Sequence, residues 1–464
     1  MVLRLVNLTA PPIGMHGWRQ SDTASIARNF YENGYKFGLP EVDWGGASVG
    51  YVESEFPIFP FTVAVAYSVL GVHEWIGRFL AGSAFVVGAL AFYGLIRRVM
   101  DTPTAIWSLG FYLLLPLGVF YSRAFMPESW MLTSSVLGVY WFYRWTDSGR
   151  TVHLLLTGVF ITLAALIKLP ALYLGLPLAW MAWNKFGRQM FRERALWLSV
   201  AAILVSVAAW YYHAHEILMN GGLTFRIWEY GSDKWGNWNL VTSWTFWNAI
   251  LFRSVAERWF TWAAFAVLLF GLALPRRGTG ERLFDAWLVA VLIYFVIVAR
   301  GNYVHEYYQL PLLPVGAAFL GKVFARYWGS TWRSVPRRLL AASLVVTLAL
   351  SAIRIANYLS REDPRRSSEV ILARELRALT EPEARIITLQ GGNPTLLYLA
   401  HRKGWTISPP ALDRGSLETM RRSGAQYIAA TGTSRITAAS GLTQRDMSAI
   451  ETIYRTRHGL ICRL

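Results

Sequence analysis

Residues 152–183 read VHLLLTGVFITLAALIKLPALYLGLPLAWMAW. The stretch is two apolar runs parted by Lys168, which sits two residues ahead of Pro170. The runs are apolar on every side, so neither has the polar face that a helix on a soluble protein needs. A bilayer core about 30 Å thick takes roughly 20 apolar residues per crossing helix, with a working range of about 17 to 25. The reading is two helices in lipid, joined by a turn that carries one charge.

Working outward, similar runs lie at Phe79 to Ile96, Pro103 to Tyr121 and Met126 to Tyr143. After Val152 to Ile167 and Pro170 to Trp183 come Ala195 to Tyr212, Trp259 to Leu274 and Phe284 to Ala299. Tyr307 to Phe324 and Leu339 to Ile355 complete about ten crossings. Composition agrees. Of the 464 residues, 54% are hydrophobic, 15% aromatic and 16% charged, where ordinary soluble proteins carry about 25% charged residues. These proportions exclude a disordered chain, a coiled coil and a typical soluble enzyme. The fold class predicted is mainly α, a polytopic transmembrane helix bundle.

Charge fixes the expected topology. The net charge of +17 comes from 45 Lys and Arg against 28 Asp and Glu. Alternate loops hold Arg97 and Arg98; Arg144 and Arg150; Lys185, Arg188, Arg192 and Arg194; Arg276, Arg277 and Arg282; and Lys322, Arg326, Arg333, Arg337 and Arg338. The opposite short loops carry little beyond Arg123, Lys168 and Arg300. Cytoplasmic loops collect Lys and Arg, so the odd loops and both terminal segments are expected on the non-cytoplasmic side. The positive charge is then topology and not a nucleic-acid footprint, and no nucleic-acid partner is expected. Met1 to Gly14 is too short, and too interrupted by Pro11 and Pro12, to span, and it lacks the apolar run of a signal peptide. The layout therefore expects either an N-terminal segment that translocates on its own or, as the favoured reading, a first helix upstream of this sequence. Cys462 is the only cysteine, which excludes an intrachain disulfide and a cysteine-built metal centre.

Three regions follow. Residues 1–56 form an N-terminal segment and first outer loop, with an amphipathic helix expected at Asp22 to Asn33. Residues 57–357 form the membrane domain. Its outer stretch from His213 to Glu257 holds Trp228, Trp235, Trp238, Trp244 and Trp247, read as an interfacial belt or as a platform for a lipid or sugar ring. Residues 358–464 begin with the charged linker Arg361-Glu-Asp-Pro-Arg-Arg366 and continue as a small C-terminal α/β domain. Helices are expected there at Glu369 to Leu379 and Thr395 to His401, and strands at Ala384 to Leu389, Tyr427 to Ala430 and Gly459 to Arg463. Gly391-Gly392-Asn393-Pro394 lacks the spacing of a dinucleotide fingerprint and reads as a turn.

Scarce carboxylates are the informative residues. Asp22, Glu53, Glu55, Glu128 and Glu306 all fall in outer loops or at outer helix ends, where a carboxylate is costly unless paired, hydrated or metal-bound. Each alone also reads as a structural interfacial charge. Lys168 is either a lysine snorkelling to the interface or a point charge for a phosphate. Arg19, Arg123 and Arg300 can add bidentate contacts on the same face. Cations beside carboxylates at a lipid surface suit a substrate with a lipid phosphate and a polar head.

The order of these features resembles the multispanning GT-C glycosyltransferases, in the branch of the protein mannosyltransferases and aminoarabinose transferases. The resemblance rests on Asp22-Thr-Ala-Ser-Ile-Ala-Arg-Asn-Phe30, Glu55-Phe-Pro57, Gly71-Val-His-Glu-Trp-Ile-Gly-Arg78, Glu128, Lys168 and His305-Glu-Tyr-Tyr-Gln-Leu-Pro-Leu-Leu-Pro314. It covers about residues 15 to 355 in arrangement. What it implies is transfer of a sugar from a polyprenyl-phosphate donor to a glycolipid, polysaccharide or protein acceptor, outside the cytoplasm, by an enzyme of the inner (plasma) membrane. Asp22 is then the expected base, with Glu128 as a second catalytic carboxylate. Lys168, Arg123 and Arg300 would hold the donor phosphate. Arg19, Glu53, Glu55, His305, Glu306 and Tyr307 would contact substrate, and Glu128 with His305 would serve if a divalent cation is used. These side chains are expected to line one pocket. The competing class is a transporter or flippase of a lipid-linked substrate, but such proteins tend to show repeated halves and mid-membrane charges. Neither is visible here.

Overall fold

A computed structural model describes residues 2–227, 234–329, 335–432, 441–442 and 450–464. Trp228 and Arg333 lie outside the described residues. The chain divides into two compact units, one of residues 1–5, 79–213 and 226–357 and the other of residues 6–78, 214–225 and 358–464.

The first unit is helical. Every apolar run named above overlaps a helix. Glu74–Val99, Arg194–Met219 and Val335–Ser360 are each 26 residues, long and apolar enough to cross a membrane. The pair Trp244–Trp259 and Trp262–Ala273 bends by 112°. Several of the expected single spans are broken, and proline is the usual cause. Pro103 to Tyr121 is two helices, Thr102–Leu114 and Pro116–Tyr121, because Leu115 before Pro116 adopts an extended conformation. Pro170 to Trp183 opens as the tight 3₁₀ turn Leu169–Leu174 and only then becomes the helix Gly175–Phe186. Tyr307 to Phe324 likewise opens as a 3₁₀ turn, Glu306–Gln309, ahead of Leu312–Trp328.

Between helices in lipid there is little hydrophobic driving force, so small residues that permit close approach carry much of the packing. Helix Glu128–Ser148 packs on Thr151–Ile167, where a Cβ at Gly138 would lie 2.5 Å from Ile161. Helix Thr102–Leu114 packs on Leu312–Trp328, where a Cβ at Gly321 would lie 2.0 Å from the Ser108 hydroxyl. The helix Thr102–Leu114 starts at Asp101, whose carboxylate accepts from the Thr104 amide at 2.7 Å, an N-cap reinforced by Pro103.

The second unit holds the helix Gly17–Glu32, the helix Ile58–Leu70 and two sheets. Strand β1 (Val52–Glu53) pairs in parallel with β2 (Leu223–Thr224). The larger sheet contains β3 (Arg385–Thr388), β4 (Lys403–Thr406), β5 (Ala425–Thr431), β6 (Glu451–Thr456) and β7 (Gly459–Arg463), in the order β4-β3-β5-β7-β6. The β4-β3-β5 part is parallel and the β5-β7-β6 part antiparallel. Successive side chains point to opposite faces of a strand. On β3, Ile386 therefore packs with Leu372, Leu376, Leu396 and Leu397 from helices Ser368–Leu379 and Thr395–Ala400. Ile387 packs with Leu417 and Met420 from helix Arg414–Arg422 on the other face. The small α/β domain expected at the C-terminus is present, and β4, β6 and helix Arg414–Arg422 extend it. Gly391 and Gly392 have φ of +63° and +88°, a turn geometry that glycine adopts without a Cβ penalty.

One expectation changes. The helix containing Asp22 lacks the exposed polar face of an amphipathic helix: from Gly17 to Phe30 all but Trp18 are buried, and several of its polar side chains are paired within the unit. Arg28 pairs with Asp43 at 2.5 Å and donates to the Tyr398 carbonyl at 3.0 Å, while Asn29 donates to Asp43. The charged stretch Arg361 to Arg366 is anchored at Glu362. Glu362 pairs with Arg78 at 3.0 Å, and both side chains are fully buried, with Arg78 also donating to the Pro11 carbonyl.

Candidate active site

In the first unit the chemistry gathers around Lys168. The helix Thr151–Ile167 ends at Lys168, whose φ of −147° is extended, and Pro170 favours the turn that follows. Tyr211 fastens this turn: its hydroxyl accepts from the Leu169 amide at 3.1 Å and meets the Ala165 and Leu166 carbonyls. Glu128 is the first residue of helix Glu128–Ser148, after Pro127, where the helix dipole favours an anion. Lys168 Nζ lies 3.2 Å from Glu128 Oε1, with the glutamate side chain 1% exposed. Among the described residues neither Glu128 oxygen has a well-aligned hydrogen bond, so the ion pair is what compensates its burial. The Lys168 ammonium also lies 5.9 Å and 5.6 Å from the ring centres of Tyr307 and Tyr308, within cation–π range.

These residues line a cavity of about 20 Å³, closed further by Met131, Pro170, Ala171, Tyr173, Tyr294 and Pro311. That is room for one water and too little for a phosphate. The aromatic wall is tied down. Tyr294 donates to the Tyr308 carbonyl at 2.8 Å, Glu306 pairs with Arg258 at 3.0 Å, and Ser254 donates to Gln309 at 2.6 Å. His305 stacks on Tyr307 with centroids 5.2 Å apart. Arg123 is fully buried and Arg300 is exposed, and neither lines this cavity.

In the second unit the chemistry gathers around Asp22. The Trp44 indole donates to Asp22 Oδ1 at 2.9 Å. Burial pushes the Asp22 carboxyl up to about 7; Arg19 and the Trp44 hydrogen bond pull it down, and Asp43 and Glu55 push it further up. Arg19, one helical turn earlier, pairs with Glu55 at 2.9 Å and lies 5.1 Å from the centre of the Phe225 ring. Glu53 has a different setting. Completely buried on β1, it accepts from the Thr224 hydroxyl and lies 3.3 Å from His215 Nδ1. Those partners hold β1 to the chain around β2.

The residues expected at a site thus fall into two groups: Arg19, Asp22, Glu53 and Glu55 in one unit, and Arg123, Glu128, Lys168, Arg300, His305, Glu306 and Tyr307 in the other. Among the described residues no group of three or more His, Cys, Asp or Glu side chains gathers as a metal centre. Of the two side chains expected to serve a cation, Glu128 pairs with Lys168 and His305 stacks on Tyr307. Sequence reasoning missed Trp44, Asp43, Tyr308 and His215. Asp43 was available to the same scarcity argument as Asp22, and Tyr308 adjoins Tyr307. Nothing local marks Trp44 or His215, whose partners lie 22 and 162 positions away.

Residues 54–213 match the family model of dolichyl-phosphate-mannose-protein mannosyltransferases. No curated protein sequence matches the chain significantly. Among solved structures, ArnT from Cupriavidus metallidurans in the apo state superposes with a TM-score of 0.69 at 15% identity, covering 100% of this chain and 96% of that one. The same protein bound to undecaprenyl phosphate gives 0.67 at 14% identity, with the same coverage. The Archaeoglobus fulgidus oligosaccharyltransferase in the apo form gives 0.59 at 11% identity over 93% of this chain and 68% of that one. The apolar helices are those of a multi-pass membrane protein, its fold is the GT-C fold of ArnT, and residues 54–213 match the protein-mannosyltransferase family model.

Proposed function

We propose that the protein transfers a sugar from a polyprenyl-phosphate donor to an acceptor hydroxyl on the non-cytoplasmic face of the membrane. The observation that carries this reading is the buried Asp22 carboxyl, raised to about 7 and held by Trp44. An acceptor hydroxyl is a weak nucleophile and needs a base in the transition state, and a base poised near the working pH serves best. In the step proposed, the acceptor oxygen forms a bond to the anomeric carbon and gives its proton to Asp22. The bond from that carbon to the phosphate oxygen breaks, and its electron pair leaves with the lipid phosphate. A single displacement of this kind inverts the anomeric centre.

The leaving phosphate gains negative charge, which a preorganised cation stabilises. Lys168 fills that role. Its present partner, Glu128, occupies the place of an anion, and donor phosphate would take that place over. Glu128 is then a counter-ion that keeps Lys168 charged and oriented between turnovers, a narrower role than a second base. Arg19 and Glu55 present a guanidinium and a carboxylate suited to sugar hydroxyls. Undecaprenyl phosphate bound to the Cupriavidus metallidurans ArnT supports a lipid-phosphate donor, and the acceptor peptide tethered to the Archaeoglobus fulgidus enzyme supports an acceptor outside the lipid. The test is purified protein in lipid nanodiscs with a synthetic prenyl-phosphate sugar and mixed acceptors. Transfer that needs both substrates supports the reading. Movement of donor between leaflets without transfer favours a flippase.

A further inference from the structure

We infer that Trp44 is a positioning residue for the base: its indole N–H fixes one oxygen of Asp22 and leaves the other to take the acceptor's proton. This rests on the proposed role of Asp22. The geometry is specific. The 2.9 Å contact joins Trp44 Nε1 to Oδ1, and a bond to one oxygen sets the rotation of the whole carboxylate. The indole is itself held in place. Trp44 packs against Ile26, Phe30, Val42 and Val52 and lies 6.2 Å from the Phe225 ring, tilted by 58°. Its neighbour Asp43 is anchored by Arg28 and Asn29, and the Gly404 amide donates to the Asp43 carbonyl at 3.0 Å. The loop that carries Trp44 is therefore fastened both to helix Gly17–Glu32 and to β4.

Indole donates and cannot accept, so the contact favours the ionised carboxylate. That matters because burial works the other way. The charged groups acting on Asp22 are Arg19 on its own helix, Asp43 on the loop and Glu55 after β1. Of the neighbouring helices, Ile58–Leu70 contributes Tyr67, whose phenol interacts with Glu74 and Arg28. Thr395–Ala400 contributes Tyr398, which sits over Arg28 at 4.7 Å. Arg19 already serves Glu55. Without the indole donor, Asp22 would keep its burial and its two acidic neighbours and lose one of its two stabilising partners.

The experiment replaces Trp44 in the full-length protein by Phe and, separately, by benzothienylalanine, which keeps the bicyclic shape and lacks the N–H. Transfer is measured from pH 5 to 9. The expected result for both is an acid limb of kcat/KM moved up by about one pH unit, with the rate recovering toward wild type at pH 9 and the donor KM unchanged. An unmoved limb, or a loss that is uniform over all pH values, overturns the inference. The benzothienylalanine variant preserves the packing, so a folding defect in Trp44→Phe does not decide the outcome. Failure of the underlying reading is seen separately: if Asp22→Asn is fully active, Asp22 is not the base whatever Trp44 does.

Discussion

Asp22 predicts an unusual dependence of stability on pH. Its carboxyl is raised from 3.8 to about 7 in the folded protein, so the folded state binds a proton more tightly than the unfolded state does. Below pH 3.8 both states are protonated and no difference arises. Between 3.8 and 7 the unfolded chain ionises freely while the folded one resists, and stability falls as pH rises. Above 7 both are ionised and the full penalty stands, on the order of 4 kcal/mol for a shift of this size. Asp22→Asn keeps the shape and the oxygen that accepts from Trp44, and it never ionises. The mutant should therefore melt close to wild type at pH 4.5 and clearly above it at pH 8.5. Thermal unfolding of the detergent-solubilised protein, followed by tryptophan fluorescence at both pH values, gives the comparison. A mutant no more stable than wild type at pH 8.5 would refute the claim that burial dominates at Asp22. An active site commonly stores such a cost, and stabilising mutations there often abolish activity.

Other parts of the structure give sharper mutational expectations. Lys168→Gln should weaken binding of a prenyl phosphate by tenfold or more, the loss of about 1.4 kcal/mol from one charge-assisted contact, and Lys168→Arg should restore part of it; equal binding by all three proteins in a lipid-phosphate titration would remove Lys168 from the donor site. Glu128→Gln removes the anion that competes for Lys168, so it should tighten prenyl-phosphate binding, and weaker binding would show that Glu128 contacts the donor directly. Arg78→Ala leaves Glu362 buried without its partner and should cost about 3–5 kcal/mol in unfolding measurements, whereas Arg78→Met combined with Glu362→Leu should recover most of that loss.

The fold was legible because a helix in lipid must be apolar on every side, and that pattern survives without any knowledge of partners. Proline breaks were harder to read. Pro116 sits inside a run whose hydrophobicity alone looks continuous. The α/β domain showed through β3, β5 and β7, which are buried and apolar. It hid β4 and β6, where Lys403, Glu451 and Arg455 keep polar side chains in the strand. Among the candidate residues of the two units, scarcity of charge singled out Asp22, Glu128 and Lys168, because a carboxylate or ammonium near lipid has few cheap placements. Their partners depend on tertiary contacts. Glu53 looked like Glu55 in sequence, but the pairing of β1 with β2 turns Glu53 inward to Thr224 and His215 and leaves Glu55 for Arg19. No local pattern separates the two.

The account stands most directly on the single-turnover transfer rate of Asp22→Asn with a prenyl-phosphate sugar already bound. The mutant is expected to bind the donor as wild type does and to transfer at least a hundredfold more slowly, the usual contribution of a general base. Transfer at the wild-type rate by a fully loaded Asp22→Asn protein would contradict it.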